Sequence, residues 1–205
     1  MRKLSIDFET HSRCDLKARG AYVYATDPST GVYVMSYRFS DEHQTHTWAP
    51  GDGEPFPAEV ARHIETGGTI TAWNAAFERL IFWYVVCPDY DVPEPAIEQF
   101  QCTAARARAH GMPGALGDCA RALGLTQLKL PGSDLINKYS VHNVPWGAIP
   151  LEDQALWREY CEQDVATELA CGVPLRELTS DEWREYHVNE HINDRGVPLD
   201  LDLVR

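Results

Sequence analysis

The chain has 205 residues, 44% of them hydrophobic, with six Trp, nine Tyr and six Phe, which suits one domain of generous size and excludes a disordered segment. Its longest apolar run, residues 80–87, is too short to cross a bilayer, and no charged n-region precedes an apolar stretch, so neither a membrane partner nor a signal peptide is expected. A formal net charge of −13 argues against a protein that grips nucleic acid through a broadly basic surface, although residues 101–140 hold five basic side chains against two acidic ones, a local +3 that leaves −16 elsewhere.

The chain opens on Lys3-Leu4-Ser5-Ile6-Asp7-Phe8-Glu9-Thr10, which reads as a strand. Residues two apart share a face of a strand, so Asp7 and Glu9 point one way and Ile6 and Phe8 the other. Two anions held side by side repel unless a cation neutralises them, which makes a hard divalent metal their natural partner. Residues 13–27 read as a loop with some helical character. Residues 32–39 and 44–48 read as strands, implying an antiparallel N-terminal sheet. A helix opens at Phe56-Pro57, with Val60, Ala61 and Ile64 at helical spacing, and ends at Gly67-Gly68.

Residues 69–73 form a fourth strand that runs into a single helix over 74–86, with Asn74 as its expected cap. Glu78 lies one turn above that cap, near the carboxyl edge of the preceding strand, where open α/β sheets place their sites. A short strand over 99–102 follows a Pro-rich loop, then helices from Thr103 and over 115–123, a loop holding Lys129, and a short helix over 134–139. Pro150 begins the longest helix, in which Tyr160 and Asp164 stand at i and i+4 on one face. The six cysteines, Cys14, Cys87, Cys102, Cys119, Cys161 and Cys171, include no C-x-x-C pair, which fits reduced thiols and leaves oxygen atoms as the expected ligands.

Together, D-F-E-T on the first strand, N-A-A-F-E after a central strand and Y-C-E-Q-D on a late helix resemble the three motifs of the DEDD superfamily of 3′-5′ exonucleases, in its tyrosine subtype. The C-terminal stretch Ile192-Asn193-Asp194-Arg195-Gly196-Val197-Pro198-Leu199-Asp200 resembles the segment that enters the polymerase domain of phage-type family A DNA polymerases. The resemblance implies a ribonuclease-H-like α/β fold, a mixed five-stranded sheet flanked by helices. It implies an exonuclease domain over 1–178 and a helical segment over 179–205 that leads toward a polymerase domain.

The implied activity is metal-dependent 3′-5′ hydrolysis of single-stranded DNA ends to nucleoside 5′-monophosphates, in proofreading for a polymerase that is part of the same longer chain or a separate partner. A cytoplasmic location follows, the host cytoplasm for a phage protein. By the same resemblance Asp7, Glu9, Glu78 and Asp164 would serve two Mg²⁺ or Mn²⁺ ions, about 3.5–4 Å apart, and Tyr160 would orient the attacking water. Thr10, Asn74 and Phe77 would line the terminal nucleotide, with Arg106 and Lys129 as phosphate contacts. Glu78 departs from the family, whose second motif ends in Asp. Two other readings compete: an exoribonuclease of the RNase D or oligoribonuclease kind, which shares the carboxylates, and a catalytically silent domain that binds DNA or docks on a polymerase.

Overall fold

In the computed structural model, which describes residues 2–125 and 133–204, five strands form one mixed sheet. They are β1 (Lys3–His11), β2 (Gly31–Phe39), β3 (His46–Trp48), β4 (Thr69–Ala72) and β5 (Phe100–Cys102), in the order β3-β2-β1-β4-β5. β1, β2 and β3 pair antiparallel, while β4 and β5 run parallel to β1 and to each other. This is the ribonuclease-H-like arrangement that the motifs imply. The helices are α1 (Leu16–Ala25), α2 (Ala58–Glu65), α3 (Ala76–Ile81), α4 (Cys87–Tyr90), α5 (Thr103–Ala109), α6 (Leu116–Ala122), α7 (Ser133–Lys138), α8 (Leu151–Gly172), α9 (Ser180–Arg195) and α10 (Leu201–Val204). None among the described residues is long and apolar enough to cross a membrane, and the six cysteines are free.

β1 is central, so both of its faces are covered. Leu4, Ile6 and Phe8 enter a core with Met35, Phe39, Ile70, Leu80, Ile81 and Phe82 on the side of α2 and α3. Ser5, Asp7 and Glu9 face the other way, where α8 crosses β1 and β2. β2 departs from strict alternation at one point. Glu9 pairs with Val34 and Thr10 with Val32, which leaves Tyr33 as an extra residue in a β-bulge. The bulge turns both Tyr33 and Val34 toward α8, where the Tyr33 ring meets Trp157 at 5.6 Å and Trp146 at 5.7 Å. Its hydroxyl donates to the Val144 carbonyl at 2.6 Å. The sheet is thus pinned to α8 immediately beside Glu9.

The helix expected over 74–86 runs without a break over 76–90, but its winding changes on the way. α3 covers one and a half turns, Phe82–Val86 winds as a π-helix, and α4 completes the run. Asn74 does not cap α3 with its side chain; it sits in the left-handed region at φ 71° and Ala75 holds the cap position. Asn tolerates that conformation better than other residues with a Cβ, and it lets β4 turn sharply into α3. The segment over 13–27 is more ordered than expected. Asp15 caps α1 by accepting from the Lys17 and Ala18 amides, and Gly20, at φ 81°, kinks the helix.

α9 packs against the sheet domain. Thr179 and Glu182 form a capping box at its start, Trp183 is buried, and His187 bonds the Phe100 carbonyl at 2.7 Å. Its last turns meet Arg79 on α3, whose guanidinium is 2% exposed. Arg79 donates to Glu190 at 2.8 Å and to Asp194 at 2.5 and 3.1 Å, and lies 4.6 Å from the Trp83 ring centroid.

Farther along the sheet, α8 inserts Glu168, 3% exposed, toward Ser5, Thr71 and Thr103. The Thr103 hydroxyl donates to Oε1 of Glu168, while Oε2 of Glu168 is buried with no hydrogen-bond partner among the described residues. Burial raises the Glu168 carboxyl above its ordinary value, opposed by the hydroxyls around it.

Two stability predictions follow from these contacts. Arg79→Ala leaves Glu190 and Asp194 without their cation and is expected to cost about 3–5 kcal/mol in urea unfolding; a loss below about 1 kcal/mol would show that solvent already screens the cluster. For Glu168, a folded pKa raised above the unfolded one means that its contribution is complete below the unfolded value and is lost as pH rises through the folded value. Glu168→Gln should therefore match the parent in acid and gain on it by about 1.4 kcal/mol per pH unit between those two values. Parallel stability curves for the two proteins across that range would contradict the assignment.

Candidate active site

Three elements bring carboxylates toward the carboxyl end of β1. Asp7 and Glu9 come from β1 itself, Asp164 from the buried face of α8, and Glu78 from the first turn of α3. Asp164 and Glu78 are 4% and 3% exposed, and Glu9 is 9% exposed. Ligand atoms of Asp7, Glu9 and Cys161 lie within 4.8 Å of one another. Asp7 and Asp164 both line a cleft of about 450 Å³, together with Trp73, Asn74, Arg108 and the turn from Gly114 to Gly117. Glu78 belongs to neither group. It is buried in the first turn of α3, where its charge adds to the burial that raises the Cys102 thiol.

Cys161 decides the chemical character of the cluster. Its thiol is buried and lies 3.4 Å from both the backbone oxygen and Oδ2 of Asp7. Burial first, then the negative charges of Asp7 and Glu9, hold the thiol well above its ordinary pKa. It donates as an S–H to both of those oxygens. The carboxylate oxygens of Asp7 and Glu9 in the same group suit hard ions of the Mg²⁺ and Mn²⁺ type.

Tyr160 is 5% exposed and sits one turn before Asp164, its ring held edge-on at 6.3 Å from Trp157. On the Glu9 side, Thr10 Oγ1 lies 2.8 Å from the Tyr24 hydroxyl, and the Tyr24 ring lies 5.9 Å from Phe77. Burial chiefly, with the Glu9 charge adding to it, pushes the Tyr24 phenol up to about 12. Thr10 and Phe77 thus meet through Tyr24, and Asn74 reaches the cleft directly.

The two expected phosphate contacts fare differently. Lys129 lies outside the described residues. Arg106 points away from the cleft and is spent on the end of α8: it donates to the carbonyls of Gly172 and Arg176, each at 2.9 Å, and to that of Leu175, and it pairs with Glu177 at 2.8 Å. A cation there complements the C-terminal end of the helix. Arg108, two residues on and so on the opposite side of α5, lines the cleft instead. It lies so close over Gly114 that a Cβ there would stand 3.0 Å from Arg108 Nε. The Gly114 carbonyl in turn accepts from Trp73 Nε1 at 3.1 Å, which fixes this wall. Sequence signals could limit the choice to the basic segment, but not pick between two arginines on one short helix.

No family model matches the chain. It is 33% identical, over 223 aligned residues and its whole length, to the DNA polymerase of Bacillus phage SP02, and spans about a third of that protein, 33%. Among solved structures it is similar to one described as the apo form of a nuclease, with a TM-score of 0.51 and 12% identity over 82% of this chain and 69% of the other. That likeness shows the shared fold, the five-stranded α/β sheet that carries Asp7 and Glu9 on its central strand.

Proposed function

We propose that the chain is the 3′-5′ exonuclease unit of a phage-type DNA polymerase, hydrolysing single-stranded DNA ends to nucleoside 5′-monophosphates in a metal-dependent, proofreading role. The observation that carries this reading is the meeting of Asp7 and Asp164 on one cleft with Arg108 on its wall and Glu9 beside Asp7. Anionic groups that can hold cations and a guanidinium that can meet a phosphate are what phosphodiester hydrolysis needs. The whole-chain similarity to one third of a phage DNA polymerase supports the polymerase context, and with it a host-cytoplasm setting.

On this reading Asp7, Glu9 and Asp164 hold Mg²⁺ or Mn²⁺, and Glu78 acts from its buried place on α3 through water. Such ions, when bound, supply Lewis acidity toward phosphate and water. Tyr160 and Glu9 orient a water behind the terminal phosphorus. Its oxygen bonds to phosphorus as the bond to the 3′ oxygen of the upstream nucleotide breaks, and a proton ends on that leaving oxygen. Arg108 takes part of the charge on the phosphate, Asn74 hydrogen-bonds the terminal nucleotide, and Phe77 packs on its sugar or base.

A 5′-labelled single-stranded DNA oligonucleotide should shorten from its 3′ end one nucleotide at a time with Mg²⁺ or Mn²⁺, and not with EDTA. Asp7→Ala should slow this by about 10³-fold with an unchanged circular dichroism spectrum, and should also remove Mn²⁺ binding measured by calorimetry. Faster shortening of an RNA oligonucleotide would favour the exoribonuclease reading; Mn²⁺ uptake and DNA binding without any shortening would favour the silent domain. At position 78, Glu78→Asp should keep or raise the rate and Glu78→Ala should lower it. An unaltered rate for Glu78→Ala would remove Glu78 from the chemistry.

A further inference from the structure

α1 and α3 pack side by side next to the site, and aromatic rings bridge them in two steps. The inner step is Tyr24 with Phe77, centroids 5.9 Å apart, against Thr10 and the Glu9 charge. The outer step is Tyr22 with Tyr84, centroids 6.0 Å apart, and these two rings are 37% and 42% exposed. Tyr22 stands two residues before Tyr24, and Tyr84 seven after Phe77, in the π-helical stretch Phe82–Val86. One ring pair thus lies beside Thr10 and the other at open surface.

Arg13 precedes α1, and Lys17 and Arg19 lie in its first part, before the kink at Gly20; all three are exposed, in a chain of net charge −13. None of the three joins an ion pair among the described residues. Most other cations are committed: Arg2 to Asp41 and Glu42, Arg79 to Glu190 and Asp194, Lys138 to Asp153, Arg176 to Glu182. The acids closest to α1 are engaged as well. Asp15 caps the helix, Asp27 accepts from the Ser29 amide and hydroxyl, and Asp194 is held by Arg79.

We propose that the outer face of α1, with Tyr84, is a binding surface for single-stranded nucleic acid that takes the nucleotides upstream of the one being removed. Bases stack on Tyr22 and Tyr84, which is tolerant of sequence because every base offers a π-face, and Lys17 and Arg19 hold the backbone. The occupant is set by charge and ring together: exposed aromatics call for a flat apolar partner, and unpaired cations in an acidic protein call for an anionic one. The surface extends the cleft proposed above and rests on that reading for its direction along the strand.

The test is fluorescence anisotropy of a labelled 12-nucleotide oligo(dT) with Ca²⁺ in place of Mg²⁺, run across salt concentrations beside hydrolysis of a dinucleotide. The Tyr22→Ala, Tyr84→Ala pair should weaken 12-mer binding by about fivefold or more, and the Tyr22→Phe, Tyr84→Phe pair should restore it, because stacking needs the ring and not the hydroxyl. Lys17→Ala with Arg19→Ala should flatten the salt dependence by roughly 0.7 per cation removed. All of these variants should cleave the dinucleotide at the parent rate. Unchanged 12-mer affinity in the Ala pair overturns the proposal, and loss of self-association in sedimentation with unchanged DNA affinity assigns the face to a second copy instead. Ring-dependent binding by a parent protein that cleaves neither substrate would leave the surface standing and sink the exonuclease reading.

Discussion

Asp7 and Glu9 project from one face of the central strand, and α8 closes over that face with Asp164 and Cys161. Carboxylates this close in a partly dry place repel strongly, and a fold that presses them together must hold them by packing elsewhere. The bulge at Tyr33 does much of this holding. It turns two consecutive residues of β2 toward α8, so that Tyr33, Trp146 and Trp157 lock helix to sheet within one strand spacing of Glu9. On the opposite face Ile6 and Phe8 anchor the same strand into the core with Phe82. The strand that carries the acidic pair is therefore fixed by apolar contacts on both sides of the sheet.

How much of this the sequence revealed depends on which force governs each residue. Strand alternation fixes side-chain direction by covalent geometry, so the shared face of Asp7 and Glu9 was readable from two positions. The i, i+4 relation of Tyr160 and Asp164 was readable in the same way, and both are buried on α8. Asn74 takes the left-handed turn and not the side-chain cap that the sequence predicts, because an Asn between strand and helix fits both and only the path of the chain decides between them. Arg106 and Arg108 differ by two places on a short helix, and which one meets the cleft depends on where α5 lies against α8. Glu168 gave no signal at all: its burial depends on Ser5, Thr71 and Thr103 converging from three elements. Asp164 and Glu168 also interrupt the apolar stripe of α8, so the face most committed to the sheet is the one whose periodicity is least evident.

The net charge of −13 and a nucleic-acid role are reconciled by where the cations go. A large share are consumed within the molecule, Arg79 and Arg106 in the interior and Arg2, Arg158 and Lys138 on surface acids. Surface pairs of this kind contribute little to stability, and their main consequence is to neutralise a basic side chain that could otherwise attract phosphate. Among the described cations in no ion pair are Arg108 in the cleft and Lys17 and Arg19 on α1. On the proposed reading, an acidic body with a few placed cations would repel duplex and bulk polyanion while still accepting a short single-stranded end, because screened long-range repulsion acts on the whole polymer and close contacts act on the end alone.

The Arg79 cluster gives the tail a part in this geometry. Arg79 is the residue next to Glu78, and its guanidinium is clamped from outside by Glu190 and Asp194 of α9. α3 continues into the π-helical stretch Phe82–Val86, and Leu80, Ile81 and Phe82 anchor the run in the core. The buried ion cluster adds a tie to α9, and Trp83 packs on the same guanidinium. A displacement of α9 would pull on Arg79 as well as on Phe100, and Glu78, Phe77 and Asn74 all lie within five residues of Arg79. The helix that the sequence assigned to a separate C-terminal segment is in this way mechanically continuous with the element that carries the second acidic motif.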